Sequence, residues 1–189
     1  AMALIWDNFT DGPCLDRYKL LKGSAGQSNQ WALWREKALA FLRERTAKAN
    51  ERAEKGNNYY IRIFGGNSVL VEIFLWEKDV ISALRQAKEG GCSNQLWLVL
   101  AQKLENDNPE DAIPIYKAQV EVKLAEKNNF AYREAVGFLR KARELMVRAG
   151  KGEEFAPYLL TVRFAHKLQR NFTKLLDHAR WGPEEKANG

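Results

Sequence analysis

The chain has 189 residues, 46% of them apolar and 29% charged, which is enough to bury a core without disulfides or metals. Its formal charge is +6, and residues 130–180 carry 11 Lys and Arg against 5 Asp and Glu, so attraction to acidic partners is expected there. No apolar run approaches the roughly 18 to 20 residues that span a bilayer, and the start lacks a signal-peptide pattern. We therefore expect a soluble, intracellular protein without membrane contact.

Apolar residues recur at steps of three and four along most of the sequence, which predicts helices. Asp79 and Ser93 are predicted to cap the helices that follow them, and Asp111 to cap another, with Pro114 in its first turn. Glycines within 23–26, 90–91 and 150–152 are predicted to end the helices before them. In chain order, the predicted helices cover 1–8, 15–21, 31 to about 53, 69–76, 80–88, 96–104, one begun by Asp111, 131–149, and a last long helix that begins near 152–154.

Residues 57–67 break this pattern, because β-branched and aromatic side chains precede Gly65 and Gly66. No second strand-like run lies nearby to pair with this segment. A short extended piece or an ordered loop is therefore expected there, rather than a sheet.

A small alanine followed four residues later by a larger apolar residue, or in one case by a second alanine, recurs in four predicted helices. Small residues let paired helices approach closely, and the order Trp97, Leu100, Ala101, Ala112, Tyr116 is reminiscent of a tetratricopeptide hairpin. The sequence predicts an all-α fold, an irregular TPR-like α-α superhelix of stacked helical hairpins, in a single domain over 1–180 with a disordered tail at 181–189. The repeated pairs are Ala38 and Leu42, Ala83 and Ala87, Ala112 and Tyr116, and Ala135 and Leu139.

Three stretches resemble the C-terminal α-helical region of bacterial SWIM zinc-finger proteins. They are YREAVGFLRKARELMVRAGKGEEFAPYLLTVRFAHKLQRNFTKLLD at 132–177, DRYKLLKGSAGQSNQWALWREKALAFLRER at 16–45, and KEGGCSNQLWLVLAQKLENDNPEDAIPIY at 88–116. The family's zinc motif, CxC followed by CxH, is absent here, so the resemblance implies no zinc ligand in this chain. It implies a bacterial, cytoplasmic protein in which this region accompanies a zinc-finger module.

The residue types that carry catalysis are sparse and scattered. Cys14 and Cys92 have no metal-ligand spacing and are expected to be buried or half-buried free thiols. His166 and His178 have no acid or thiol at ligand spacing, and no glycine-rich phosphate loop is present. We expect no catalytic residue, metal site or cofactor, and hence a non-enzyme.

The candidate interaction face consists of Arg163, Lys167, Arg170 and Lys174, called here the basic face. On one continuous helix these cations would fall within an arc of about 60°, clear of the apolar side. They could match the phosphates of a nucleic acid, or form a solvated surface that pairs with acids elsewhere in the chain.

Trp6 and Trp181, near the two ends, are the tryptophans expected to be most exposed, and the others are expected to be core anchors. With no catalytic constellation, the sequence favours a protein-protein scaffold whose partner is an unknown protein or peptide. The alternative is a nucleic-acid-binding accessory domain that uses the basic face.

Overall fold

A computed structural model describes residues 2–55, 66–179 and 181. Within these residues the chain forms ten α-helices, one short 3-10 turn at Gly152–Glu154 and no strand, which confirms the all-α prediction. Residues 57–65 of the predicted irregular segment, and 182–189 of the predicted tail, lie outside the described residues. The helices are α1 Met2–Asp11, α2 Leu15–Gln27, α3 Trp31–Lys55, α4 Ser68–Trp76, α5 Val80–Gly90, α6 Asn94–Leu104, α7 Pro109–Ala125, α8 Asn129–Arg148, α9 Phe155–Ala165 and α10 Arg170–His178.

The chain divides into two compact units, residues 1–100 and 101–189. The prediction of a single domain over residues 1–180 stays a prediction. None of the helices in the described part of the chain is both long and apolar enough to cross a bilayer.

The first unit packs α1 on α2, α2 on α3, and α4 on α5. Its core combines aromatic and aliphatic side chains from all five of these helices, including Phe9, Tyr18, Leu39, Leu70 and Leu84. The cap predicted at Asp79 is confirmed, because its carboxylate accepts a hydrogen bond from the backbone N–H of Ser82 at 3.0 Å.

The second unit is built on the hairpin of α7 and α8, which are connected by residues 126–128 alone. Asn128 caps α8 by accepting the N–H of Ala131 at 2.9 Å, and Gly150 ends it with a φ of 73°. The helices α9 and α10 cover this hairpin, and their residues join one buried cluster. That cluster consists of Val120, Leu124, Tyr132, Ala135, Leu139, Val162, Phe172 and Leu176.

The four alanines of the recurring motif are all fully buried, as close helix packing requires. They are Ala38, Ala83, Ala112 and Ala135.

Two predicted helix boundaries are wrong. The helix α2 continues through Gly23 and Gly26 to Gln27, because burial of Leu21 and Ala25 offsets a glycine cost of about 1 kcal/mol each. The helix α7 begins at Pro109, with Asn108 as its N-cap residue. The predictions that Asp111 caps this helix and that Pro114 lies in its first turn are therefore wrong. Asp111 lies in the first turn of α7, and Pro114 lies in the helix interior, where the flanking buried side chains hold it in place.

Each unit contains a buried or half-buried tyrosine hydroxyl that donates to a glutamate held by a cation. In the first unit, Tyr18 donates to Glu77 Oε1 at 2.8 Å, and Arg35 Nη2 donates to Glu77 Oε2 at 2.6 Å. In the second, Tyr116 donates to Glu105, and Lys141 Nζ lies 3.0 Å from Glu105 Oε2. Nothing in the sequence pattern indicated these networks, which join residues up to 59 positions apart.

Candidate functional site

The predicted last long helix is wrong, because the chain leaves the helix between α9 and α10. His166 has φ of −108° and ψ of 22°, and a turn follows in which the N–H of Gln169 donates to the carbonyl of His166 at 2.9 Å. In a straight helix, Val162 and Phe172 would lie about 15 Å apart along the axis. The turn instead brings both side chains into the same buried cluster, and this burial is the physical reason for the break.

The four cations of the basic face therefore lie on two helices and the turn between them, and all four are exposed. Arg163 forms an ion pair with Asp177 of α10, and Lys167 Nζ lies 4.7 Å from the ring centroid of Phe164. Arg170 and Lys174 form no ion pair with any residue that the structure describes. The basic face is thus partly neutralised at Arg163 and open at its α10 end.

Three large apolar side chains are exposed along α9 and the turn after it. Leu160 and Phe164 lie one turn apart on α9, Leu168 lies in the turn after it, and they keep 66%, 72% and 87% of their surface in contact with solvent. The opposite side of α9 is anchored in the core by Phe155 and Val162, so α9 is apolar on both sides. We call Leu160, Phe164 and Leu168 the apolar stripe.

An exposed apolar stripe of this kind is typical of a surface that a partner covers. Sequence reasoning selected the cations next to the stripe and missed the stripe itself. The signal was present, because a helix with apolar residues on all sides is expected to be covered on all sides.

A pocket of about 630 Å³ opens beside the stripe, between the α7–α8 connection and the α9–α10 turn. Asn171 Nδ2 donates to Asn129 Oδ1 at 2.9 Å, and Gln169 Nε2 donates to the carbonyl of Leu124 at 3.4 Å, so side chains tie the two turns together. Of the residues that the structure describes, neither an Asp nor a Glu lines the pocket. Its lining residues are Lys127, Asn129, Tyr132, Ala165, His166, Leu168, Gln169, Arg170 and Asn171.

The histidines of this region are held by structural contacts. His166 Nε2 lies 2.8 Å from a carboxylate oxygen of Glu121, and its ring packs edge-on against Phe172. His178 Nδ1 lies 2.6 Å from the carbonyl oxygen of Lys174. Among the residues that the structure describes, no group of three or more His, Cys, Asp or Glu could hold a metal ion.

The two thiols lie in different environments. Cys92 is buried as expected, and its burial raises the thiol pKa to about 12. Cys14 is exposed, so the expectation of burial is wrong for this residue. It precedes α2 in an extended conformation, outside the packed side of that helix.

The tryptophans near the two ends are half-buried. The Trp6 ring packs 5.6 Å from Trp34, and Trp181 Nε1 donates to the carbonyl of Leu176 at 3.0 Å. Trp181, which the sequence assigns to the tail, also packs against Phe155 at 5.4 Å. Neither ring therefore stands free as a binding anchor.

In comparisons with protein-family models, curated proteins and solved structures, nothing matches this chain, so the resemblance to SWIM zinc-finger proteins stays a prediction.

Proposed function

We propose that this chain is a non-catalytic helical-repeat interaction module whose α9 surface binds an acidic, amphipathic helical segment of a partner protein. The observation that carries the proposal is the apolar stripe, in which Leu160, Phe164 and Leu168 are exposed beside cations. A helix laid on such a surface is a common mode of peptide recognition, with apolar anchors at helical spacing. We propose that it is a protein-protein scaffold, and the resemblance adds that it works beside a zinc-finger module.

Burial of the stripe supplies the main driving force. Complete burial of a leucine or phenylalanine side chain contributes about 1.5–3 kcal/mol, so the surface that is still exposed on the three residues contributes roughly 3–7 kcal/mol together. Association itself costs about 4–15 kcal/mol, so the stripe alone supports only weak binding. Charge complementarity must therefore add to the apolar contact.

The charges around the stripe favour an acidic partner. Lys167 lies directly against Phe164, and Arg170 follows the stripe without an ion-pair partner in the described part of the chain. Opposite charges steer association and select the partner. A second copy of this chain would bring these cations against one another, so the same argument disfavours self-association through the stripe.

A designed peptide of about 16 residues, long enough to form a helix on contact, tests the proposal. It carries leucines at steps of three and four with glutamates beside them, and its binding is followed by fluorescence anisotropy. We expect Leu160→Ser and Phe164→Ser to weaken binding by at least roughly ten-fold, the effect of about 1.4 kcal/mol for one lost apolar contact.

Leu20→Ser is the matched control, because Leu20 of α2 is 60% exposed but lies in the other unit. This variant should bind the peptide as the unchanged protein does. Equal affinity for all four proteins would show that the stripe does not bind the peptide.

A nucleic-acid-binding function is the second candidate, and the exposure of Arg170 and Lys174 without ion pairs to described residues favours it. Under the protein-binding proposal, duplex DNA binds weakly or not at all at about 150 mM salt. Tight binding that falls steeply with salt, and that the double variant Lys167→Glu, Arg170→Glu abolishes, would favour the nucleic-acid function instead.

A further inference from the structure

The pocket beside the apolar stripe is lined by cations, and its described lining residues include no carboxylate. Lys127 and Arg170 approach it from two different turns, and neither forms an ion pair with any described residue. His166 also lines it, but its Nε2 is engaged by Glu121 outside the lining. The pocket therefore presents two uncompensated positive charges to whatever enters it.

The two cations of the lining are suited to an oxyanion, whereas the side-chain N–H groups of Gln169 and Asn171 already donate to oxygens of the chain. Cations and amide N–H groups are the donors that bind carboxylate and phosphoryl oxygens, and charge-assisted hydrogen bonds are about twice as strong as neutral ones. Gln169 precedes α10 without forming a side-chain cap, so the first turn of α10 is not closed by its own cap residue. That turn begins with Arg170 and Asn171, which both line the pocket.

The pocket continues the surface that the apolar stripe begins. Leu168 belongs to the stripe and also lines the pocket, and Ala165, which follows Phe164 in the chain, lines the pocket as well. A segment seated on Leu160 and Phe164 that extends past Leu168 would therefore reach Lys127 and Arg170. One continuous segment would then contact both the apolar stripe and the cations of the pocket.

We infer that this pocket binds an oxyanion, a carboxylate or a phosphoryl group, carried by the partner segment that covers the apolar stripe. The inference rests on the proposed function for the identity of the carrier. The affinity of the pocket for the anionic group itself depends only on the pocket lining. Pocket and stripe can therefore be tested separately.

The test uses the whole chain labelled with nitrogen-15, titrated with inorganic phosphate and, separately, with sodium acetate at constant ionic strength. We expect saturable shifts of the backbone amides of Asn129, Arg170 and Asn171. Lys127→Gln and Arg170→Gln should each weaken the binding roughly five-fold, as expected for one partly exposed ion pair. Tighter binding of phosphate than acetate would identify a phosphoryl group as the source, and the reverse order a carboxylate.

Lys174→Gln is the matched control, because it removes the same charge one turn further along α10, outside the pocket lining. Shifts that do not saturate, or that weaken equally in Lys174→Gln, would overturn the inference.

Phe164→Ser separates the two proposals. This variant should keep phosphate binding and bind the peptide at least roughly ten-fold more weakly. If the peptide binds with the same affinity to the protein and to its Lys127→Gln variant, the pocket is not part of the interface. If phosphate binds and the peptide does not, the pocket binds anions and the proposed function fails.

Discussion

Replacement of Glu77 by Gln removes the negative charge that Tyr18 and Arg35 share. The carboxylate accepts from the Tyr18 hydroxyl and from two nitrogens of Arg35, with its closest contact to Arg35 at 2.6 Å. The amide of Gln places an N–H₂ group where a carboxylate oxygen accepted from Arg35. Two donors then face each other inside the first unit.

The expected decrease in the free energy of unfolding on Glu77→Gln lies between the values for breaking a buried and an exposed ion pair. Removal of one partner from a fully buried pair costs about 3–5 kcal/mol. Here 12% of the Glu77 side chain and 36% of the Arg35 side chain are exposed, so Arg35 can turn partly to water. We therefore expect Glu77→Gln to lower the free energy of unfolding by about 2 kcal/mol at neutral pH.

The effect should depend on pH with a defined sign. Burial raises the pKa of the Glu77 carboxyl, but hydrogen bonds from Arg35 and Tyr18 outweigh it and hold the pKa below its usual value. The charged group therefore stabilises the fold above the carboxyl pKa of the unfolded chain. This contribution is lost as the pH falls through the lower, folded-state pKa.

Urea denaturation of the two proteins, at neutral pH and at several acidic values, measures this difference. We expect the gap between the protein and Glu77→Gln to shrink as the solution becomes more acidic. Glu44→Gln is the control, because Glu44 pairs with Lys48 on the exposed side of α3 and should change nothing measurable. Equal stability of Glu77→Gln and the unchanged protein at neutral pH would refute the reasoning.

Three further predictions concern the cores, one tight turn and the thiols. Phe172→Ala empties a fully buried site and should cost about 3–5 kcal/mol in urea denaturation, whereas an unchanged midpoint would contradict the core assignment. Gly66→Ala should cost about 2 kcal/mol, because φ is 53° and a backbone carbonyl oxygen would lie 2.5 Å from the new Cβ; Gly150→Ala, at φ of 73° with no atom nearby, should cost about half as much. A thiol reagent should modify Cys14 in the folded protein and Cys92 only after unfolding, and equally fast modification of both would show that Cys92 is not buried.

Local rules predict the helices and several of their ends well. Residues 131–149 carry an unbroken apolar period, and the structure forms α8 over nearly the same range. Asp79 and Gly150 act where short-range capping chemistry places them. These features depend on neighbours within one or two turns, which the sequence displays directly.

The break between α9 and α10 could not be predicted in this way. No proline or glycine lies between His166 and Gln169, and the residues there are compatible with a continuing helix. The turn forms because Val162 and Phe172 reach the same core from two directions, which only the tertiary structure reveals. The prediction that the four cations of the basic face share one arc of a helix is therefore wrong, because the continuous helix that it assumed does not form.

In the candidate site, too, some features follow from the local sequence and others only from the tertiary structure. Exposure of Lys167 and Arg170 was foreseeable from their charge, whereas the pairing of Arg163 with Asp177 joins two helices and has no local signal. The pocket combines Lys127 with Arg170, which lie on separate turns brought together by folding. Rules based on sequence spacing therefore cannot predict a pocket of this kind.

The most direct measurement of the central claim is a nuclear magnetic resonance titration of the nitrogen-15-labelled chain with the acidic amphipathic peptide. We predict that the amides whose signals move lie on α9, the turn after it and the start of α10, within residues 156–171, and that Phe164→Ser weakens the binding at least roughly ten-fold. Signals that move mainly in the first unit, or that move equally with a scrambled peptide of the same composition, would contradict the claim that the α9 surface binds a partner.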